Sequence, residues 1–236
     1  MTQRKPFKRP PRRHQPPGLQ VLFEDYDIVV VDKVSGLLTV ANDSQDEGTA
    51  FMLLNDYVKK GNYKSKNRVY IVHRLDRDTS GLVVFAKSEQ LQTALQSNWK
   101  NVRKKYYAVV VGRPPQDAGI ITSYLAENSI HRMYSVNDPS AGKYAKTGYR
   151  VVKSNARYSL LEVDLFTGRK NQIRVHLADL KCPVAGDKKY GKKDRSIKRL
   201  CLHAASLQLK HPVSGEDLTL KAVMPDYFEQ LLNRAQ

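Results

Sequence analysis

Two polar stretches of this chain carry residue types suited to catalysis. HRLDRDTSG, residues 73–81, sets two aspartates, two arginines, a histidine, a threonine and a serine between two apolar runs. TGRKNQIRVH, residues 167–176, is a second polar stretch and is rich in cations. One stretch is rich in Asp and the other in Arg, so together they could supply an ion pair at a cleft, and a nearby cation favours the ionised form of a carboxylate. From composition alone, a structural turn with internally paired charges explains the first stretch equally well.

The net charge points to a polyanionic partner. Forty Lys and Arg against 23 Asp and Glu give +17, and residues 1–18 hold six cations, several prolines and no acid. We interpret 1–18 as a disordered basic arm. Three further basic clusters lie in the body of the chain, at 59–68, 103–105 and 188–199. Several clusters of one sign favour nucleic acid over a merely solvated lysine-rich surface.

Composition also limits the class of protein. Apolar residues make up 41% of the chain, enough for a core, and the N-terminus lacks the apolar stretch of a signal peptide. There is no uncharged apolar run long enough to span a membrane. Cys182 and Cys201 are too few for a disulfide framework or a cysteine-based zinc site. We therefore expect a soluble, cytoplasmic protein with reduced cysteines.

The pattern of elements predicts an α+β fold. We expect a hairpin ending at Gly36, a helix over TAFMLLNDYVKKG, and a strand on each side of HRLDRDTSG. A helix with Ser88 as N-cap and the strand KKYYAVVVG follow. Strands then come in clusters rather than alternating with helices, which favours a mixed, mainly antiparallel sheet flanked by helices in one catalytic domain, 19–236.

Three C-terminal elements complete the prediction. GRKNQIRVHLADLKC has helical periodicity, with Ile173, Leu177 and Leu180 on one face. A hairpin is expected around Ser214 and Gly215, and a last helix with Pro225 at its first position.

Several stretches resemble one enzyme family. HRLDRDTSG is similar to the active-site motif of the RluA-type pseudouridine synthases, and TGRKNQIRVH resembles the family's second signature. KKYYAVVVG resembles the segment that carries the family's active-site tyrosine. VVVDKVSGLLTV, VAGDKKYG and RLCLHA also match family patterns, so the likeness covers about residues 19–225. The resemblance implies a compact pseudouridine synthase without the N-terminal RNA-binding domain of many relatives.

The resemblance assigns roles to three residues. Asp76 would be the essential carboxylate, Arg174 its cationic partner, and Tyr106 a ring against the uracil with a hydroxyl that can move a proton. The isomerisation changes no oxidation state and is expected to need no cofactor and no metal. Without the motifs, Tyr106 would be an ordinary strand tyrosine and Arg174 a surface arginine.

RNA is the expected partner. The target uridine must leave its stack, and the resemblance implies that Arg74, beside Asp76, fills the gap. Cations outside that loop are expected to bind phosphates with a steep salt dependence: Arg103, Lys104, Lys105, Lys188 and Lys189. We expect a ribosomal or transfer RNA loop as substrate, a monomer, no obligatory protein partner and no membrane.

Two departures and three alternatives accompany this reading. Asn171 stands where family members usually have His, and Val34 where a Pro usually follows the lysine. One alternative is a non-catalytic RNA-binding protein on the same scaffold. Another is a ribonuclease with His176 and His203 as acid and base, although both fit structural histidines better. A metal site built from His73, Asp76 and Asp78 is the weakest, because the spacing fits no standard ligand pattern.

Overall fold

The computed structural model describes residues 10–11, 14–41 and 48–233. Most of the predicted arm, 1–9 and 12–13, lies outside the described residues. The chain divides into two compact units: residues up to Val102 with Leu207–Ala222, and Arg103–Ser206 with the residues from Val223 onward. The predicted boundaries of a single catalytic domain, 19–236, stay a prediction.

The elements follow one another with few long connections. In chain order they are β1 (Leu19–Glu24), β2 (Ile28–Lys33), α1 (Ala50–Lys59), β3 (Tyr70–Ile71), β4 (Ser80–Ala86), α2 (Glu89–Asn98), a 3₁₀ turn (Trp99–Asn101), β5 (Arg103–Val111), β6 (Ala118–Glu127), β7 (Met133–Val136), β8 (Lys143–Ser154), β9 (Tyr158–Leu165), α3 (Gln172–Asp179), β10 (Leu202–Lys210), β11 (Asp217–Lys221) and α4 (Asp226–Asn233).

The first unit is built on an antiparallel strand group. β1 and β2 form the predicted hairpin, and the carboxylate of Asp25 closes its turn by accepting from the N–H groups of Asp27 and Ile28 at 2.8 Å each. β2 and β3 both pair with β4, all of whose residues are buried. The predicted strand, loop and strand around HRLDRDTSG are confirmed, although β3 is only two residues long.

Two capped helices belong to this unit. The hydroxyls of Thr49 and Ser88 accept from the N–H groups of Met52 and Leu91, so both helices begin where a side chain satisfies an otherwise unpaired donor. The prediction of Ser88 as N-cap is confirmed. Apolar residues of β2, β4, α2 and the β10–β11 hairpin share one core, which anchors the two ends of the polar loop.

The second unit contains a sheet in the order β5, β9, β8, β6, β7, with antiparallel neighbours. β7 was not predicted from the sequence, and β8 begins at Lys143 rather than near Gly148. The predicted helix is present as α3, with Ile173 and Leu177 buried as expected, but the polar residues Gln172, Arg174 and His176 are buried as well. Its polar side chains are buried with hydrogen-bond partners, which a hydrophobic pattern does not reveal.

The predicted fold class is confirmed: the protein is α+β, with mainly antiparallel strands and four α-helices among the described residues. The β10–β11 hairpin around Ser214 and Gly215 and the last helix are also present, with α4 starting one residue after Pro225. No helix within the described ranges is long and apolar enough to cross a membrane.

Candidate active site

Asp76 lies at the tip of the loop that joins β3 to β4 in the first unit. Its side chain is half-buried, whereas Arg74, Arg77 and Asp78 are exposed. The carbonyl of Asp76 accepts from the N–H of Thr79 at 3.1 Å, which closes a turn directly after the carboxylate. The turn proposed from composition therefore exists, and the carboxylate of Asp76 projects from its first residue.

The backbone just before Asp76 is held by Thr39. Its hydroxyl donates to the carbonyl of Leu75 at 3.0 Å and accepts from the N–H of the same residue at 3.2 Å. Thr39 is 1% exposed and Leu75 is 5% exposed. Because one buried hydroxyl satisfies both backbone groups of Leu75, the residue before the carboxylate has a fixed orientation.

The backbone just after Asp76 is held by Lys33, at the end of β2. Its ammonium is fully buried and donates to the carbonyls of Val34, Leu37 and Arg77 at 3.0, 2.7 and 3.0 Å. The N–H of Gly36 donates to the same Arg77 carbonyl at 2.9 Å. A buried ammonium needs such acceptors, so Lys33 fixes the β2 turn and the Asp76 loop to each other.

Val34 is one of the two departures from the family pattern. Its N–H donates to the carbonyl of Gly18 at 3.0 Å. A proline at this position has no N–H to donate. The valine thus adds a bond between the β2 turn and the chain that enters β1, without touching the residues assigned to chemistry.

His73 opens the loop and is held as a structural residue. Its Nε2 accepts from the N–H of Val84 at 3.0 Å, and its ring stacks on Trp99 with centroids 4.2 Å apart. An Nε2 that accepts from an amide is not the atom that carries a proton. These contacts support His73 as a positioning residue rather than as a base or a metal ligand.

Tyr106 lies on β5 in the second unit, opposite Val163 of β9. Tyr106 and Lys104 are each 8% exposed and share one face of the strand, since they are two residues apart. Burial lowers the pKa of Lys104. Lys105, on the opposite face, is bonded to Glu162 at 2.7 Å, and Arg103 is exposed.

Arg174 of α3 is buried and clamped by two side chains of the second unit. Asp187 receives its Nε and Nη2 at 2.7 and 2.8 Å, a bidentate ion pair. The side-chain oxygen of Asn171 accepts from Nη1 at 2.9 Å. These bonds use three of the five N–H groups of the guanidinium and fix its plane. The pairing of Arg174 with Asp76 stays a prediction.

Asp187 is fixed by its own backbone surroundings. Gly186 has a φ of +77°, and a Cβ there would lie 2.0 Å from the carbonyl oxygen of Arg199, so only glycine fits. Oδ1 of Asp187 also accepts from the N–H groups of Lys189 and Tyr190. Burial raises the pKa of Asp187, but Arg174 and these N–H groups outweigh it, so the net pKa is lowered.

Asn171, the second departure from the family pattern, connects Arg174 to Tyr190. Its backbone is left-handed, with φ 54°, a conformation that Asn tolerates better than most residues. Besides accepting from Arg174, it donates from Nδ2 to the hydroxyl of Tyr190 at 3.3 Å. The Tyr190 ring lies 5.2 Å from Cζ of Arg174 and 5.1 Å from that of Arg132. Asn171 is therefore a bridging residue beside the candidate cation.

The cations expected to bind phosphates differ in their surroundings. Lys188 is exposed. Lys189 donates to the carbonyl of His131 at 2.7 Å, and burial together with nearby cations lowers its pKa. Lys188 and Arg103 thus present exposed charges. A phosphate would have to reach the buried Lys104 and replace the protein partners of Lys105 and Lys189.

The two histidines of the ribonuclease alternative are poorly suited to that chemistry. Burial lowers the pKa of His176 to about 4 and, helped by Arg199, that of His203 to about 4. His176 is held between the hydroxyls of Ser123 and Thr147 at 3.0 and 2.8 Å. Both rings are neutral at pH 7, so neither can serve as the general acid.

Among the described residues, one group brings possible metal ligands within 4.8 Å of one another: Asp25, Asp27 and His211. Nδ1 of His211 accepts from the N–H groups of Val213 and Ser214, and Nε2 lies 2.8 Å from Asp25. A ring that accepts at Nδ1 carries its hydrogen on Nε2, and it donates that hydrogen to Asp25. The group forms a hydrogen-bonded link within the first unit.

The α+β fold with mainly antiparallel strands, and the Asp76 loop between β3 and β4, agree with the class that the sequence resembles, the pseudouridine synthases. A family model described as RNA pseudouridylate synthase matches residues 27–179. The chain belongs to the RNA pseudouridylate synthase family. The resemblance seen in the sequence is confirmed, and a non-catalytic binding protein is not favoured.

Individual relatives agree with this assignment. The chain is 37% identical over 91% of its length to ribosomal large subunit pseudouridine synthase D of Nitrosomonas europaea, covering 64% of that protein. It is 36% identical over 88% of its length to an uncharacterized RNA pseudouridine synthase of Bacillus subtilis, YhcT, covering 69% of it. The structure of human RNA pseudouridylate synthase domain containing 4 matches with a TM-score of 0.76 and 27% identity, over 91% of this chain and 92% of that one. The chain thus spans about two thirds of the curated relatives' length.

Sequence reasoning missed the residues that hold the site together. Lys33, Thr39 and Asp187 were assigned no role, although all three lie in VVVDKVSGLLTV and VAGDKKYG, stretches already noted as similar to the family. A lysine that ends an apolar strand and an aspartate after a glycine are the available signals. The acceptors of Lys33 become visible only in the structure.

Proposed function

We propose that this protein isomerises uridine to pseudouridine in RNA and that Asp76 is its essential carboxylate. The observation that carries the proposal is the double fixation of the loop: Thr39 holds the residue before Asp76, and Lys33 holds the residue after it. A loop fixed on both sides presents one half-buried carboxylate in a defined place. Such preorganisation is what a catalytic group requires.

The reaction breaks the bond between ribose carbon 1 and uracil nitrogen 1, turns the base, and joins it again through carbon 5. Asp76 is proposed to act as an ionised group, by attacking the ribose, attacking the uracil ring or removing a sugar proton. Arg174 is proposed as its cationic partner, supported by the orientation that Asp187 and Asn171 give the guanidinium. Tyr106 is proposed to lie against the uracil, supported by its buried place on β5.

RNA reaches this site, in our proposal, with the target uridine out of its stack. Arg74 is exposed beside Asp76 and is proposed to occupy the vacated space. Arg103 and Lys188 are proposed to bind phosphates in the open. Lys104, Lys105 and Lys189 are retained as RNA-binding candidates. Each is less available to a phosphate, because Lys104 is buried, Lys105 pairs with Glu162 and Lys189 donates to the carbonyl of His131.

We propose large-subunit ribosomal RNA as the first substrate to test, with transfer RNA as the second. The support is that relatives from Nitrosomonas europaea and Xanthomonas campestris are named ribosomal large subunit pseudouridine synthases. A monomer that works in the cytoplasm is the corresponding proposal for state and location.

The test measures release of tritium from RNA labelled at carbon 5 of uridine. The wild-type protein should release it, and Asp76→Asn should release none while binding the same RNA with unchanged affinity. Asp78→Asn is the matched control, because its exposed side chain is given no catalytic role, and it should retain activity. If the wild-type protein binds RNA but releases no tritium, the protein is an RNA-binding protein and not an isomerase. Mapping carbodiimide-reactive pseudouridines in RNA from cells with and without the gene then identifies the substrate.

A further inference from the structure

A groove in the first unit combines positive charge with aromatic rings. It has a volume of about 530 Å³ and is formed by α1, α2 and the connection from α1 to β3. Its cations and rings are Lys59, Lys66, Arg68, Phe51, Tyr63 and Tyr70. The other lining residues are amide, hydroxyl or aliphatic, and no described lining residue is acidic.

The basic character is concentrated in the connection itself, which we call the 59–68 loop. Five of its ten residues are Lys or Arg and none is acidic. Lys60, Lys64, Lys66 and Arg68 are exposed. The ion pair described for this loop joins Lys59 to Asp56 at 4.0 Å, the outer limit of such a contact. The loop therefore presents several charges to solvent.

Tyr63 is the exposed ring of the groove. Its relative exposure is 83%, and Nζ of the neighbouring Lys64 lies 5.8 Å from the ring centroid. An exposed tyrosine that packs into no core contributes little to folding. Its flat face is open to stack with a planar group, next to a cation.

The loop is folded rather than loose. The N–H of Lys64 donates to the side chain of Asn62 at 3.1 Å, and that of Asn67 to the hydroxyl of Ser65 at 3.2 Å. Its C-terminal end is held by α1, since the N–H of Val69 donates to the side chain of Asn55 at 3.0 Å. The backbone that carries the charges and the ring is thus held in one arrangement, which reduces the ordering cost of binding.

We propose that this groove is a second RNA-binding surface, taking a single-stranded segment of the substrate away from the target base. Exposed cations that follow a phosphate backbone beside an aromatic ring that accepts a base are the combination that single-stranded nucleic acid requires. An acidic protein surface would use the cations and leave Tyr63 without a partner. The proposal rests on RNA being the substrate, as proposed above.

Two matched triple variants test the charge. Lys64→Gln, Lys66→Gln and Arg68→Gln remove three charges from the loop, and the control removes three from exposed strand positions: Lys143→Gln, Lys153→Gln and Lys221→Gln. Both take the net charge from +17 to +14, that is 17 − 3. The plot of log affinity against log salt for a single-stranded RNA has a negative slope, and its magnitude should decrease by about 2 in the loop variant. It should fall by less than half of that in the control. Equal slopes in the two variants would overturn the proposal.

Two variants of Tyr63 test the contribution of its aromatic ring to RNA binding. Tyr63→Ala should weaken binding of single-stranded RNA about tenfold, while Tyr63→Phe, which keeps the ring, should bind like wild type. Neither should alter binding of polyglutamate, a pure polyanion. Equal losses for RNA and polyglutamate would show a general acidic-surface site instead.

Activity separates this proposal from the one about Asp76. At saturating RNA the loop triple variant should turn over like wild type, with an increased KM. The binding measurements are repeated in the Asp76→Asn protein, so they remain decisive if no isomerisation is found. Unchanged thermal melting of each variant confirms that the exposed substitutions leave the fold intact.

Discussion

The hydroxyl of Thr39 bonds both the carbonyl and the N–H of Leu75, at 3.0 and 3.2 Å, and so holds the residue that precedes Asp76. Replacing Thr39 by Val keeps the shape of the side chain and removes both bonds. Two buried backbone groups then lose their partner, at a cost of about 1 to 3 kcal/mol each. We expect Thr39→Val to lower kcat at least tenfold with little change in KM, measured by tritium release.

The control for this variant is Thr49→Val. Thr49 is also buried, and its hydroxyl caps α1 by accepting from Met52. Losing an N-cap costs about 1 kcal/mol of stability, and the substitution removes no bond to Leu75 or Asp76. Thr49→Val should therefore lower the melting temperature without lowering kcat at a temperature where it is folded. If both variants lost kcat equally, Thr39 would have only a general structural role.

Asn171 offers a prediction about the orientation of Arg174. Asn171→Ala removes the acceptor of Nη1 and the bond to Tyr190, and we expect kcat to fall about tenfold while KM stays near its wild-type value. Asn171→His restores the residue usual at this position in family members, supplies an acceptor again, and should recover most of kcat.

A third variant separates the effect of losing the Asn171 side chain from the effect of straining its backbone. The residue has a φ of 54°, where Ala is strained and Gly is not. Asn171→Gly should melt close to wild type and still show the low kcat of Asn171→Ala. Full activity of Asn171→Gly would mean that the side chain does not position Arg174.

The sequence predicted the secondary-structure elements and motifs better than it predicted the long-range contacts that hold them in place. Caps such as Ser88 and the apolar strands beside HRLDRDTSG depend on neighbours in the chain, and they were found. The clamp by Lys33 depends on a residue 44 positions away, and the burial of α3 on polar partners from other elements. Such long-range contacts leave no periodic signal, which is why the burial of the polar residues of α3 was not predicted.

Lys33 gives a prediction about the stability of the loop. Lys33→Met keeps the apolar stem but leaves three carbonyls without the buried ammonium, so we expect a loss of several kcal/mol in the free energy of unfolding. Amide hydrogen exchange at residues 73–79 should accelerate. Lys87→Met, which removes a partly buried ammonium from Glu24 and Asp25, is the control and should leave exchange in that loop unchanged. Equal exchange in both variants would show that Lys33 does not hold the loop.

The lowered pKa values of His176 and His203 predict how the stability of the fold depends on pH. Burial lowers the pKa of each to about 4, whereas an unfolded histidine titrates near 6.5. Between these values the unfolded chain binds more protons than the folded one, so stability falls as the pH drops from about 6.5 to about 4. Each histidine can contribute up to roughly 3 kcal/mol over that range. The effect is absent above pH 7, where both states hold neutral rings.

Urea unfolding at pH 7.5 and at pH 5 measures this loss. In the double variant His176→Gln and His203→Gln the side chains do not titrate, so the loss between the two pH values should shrink by several kcal/mol relative to wild type. Each single variant should recover about half of it, because the sites have separate partners: Ser123 and Thr147 around His176, and Phe228 against His203. Parallel pH profiles in wild type and double variant would show that other groups control acid stability.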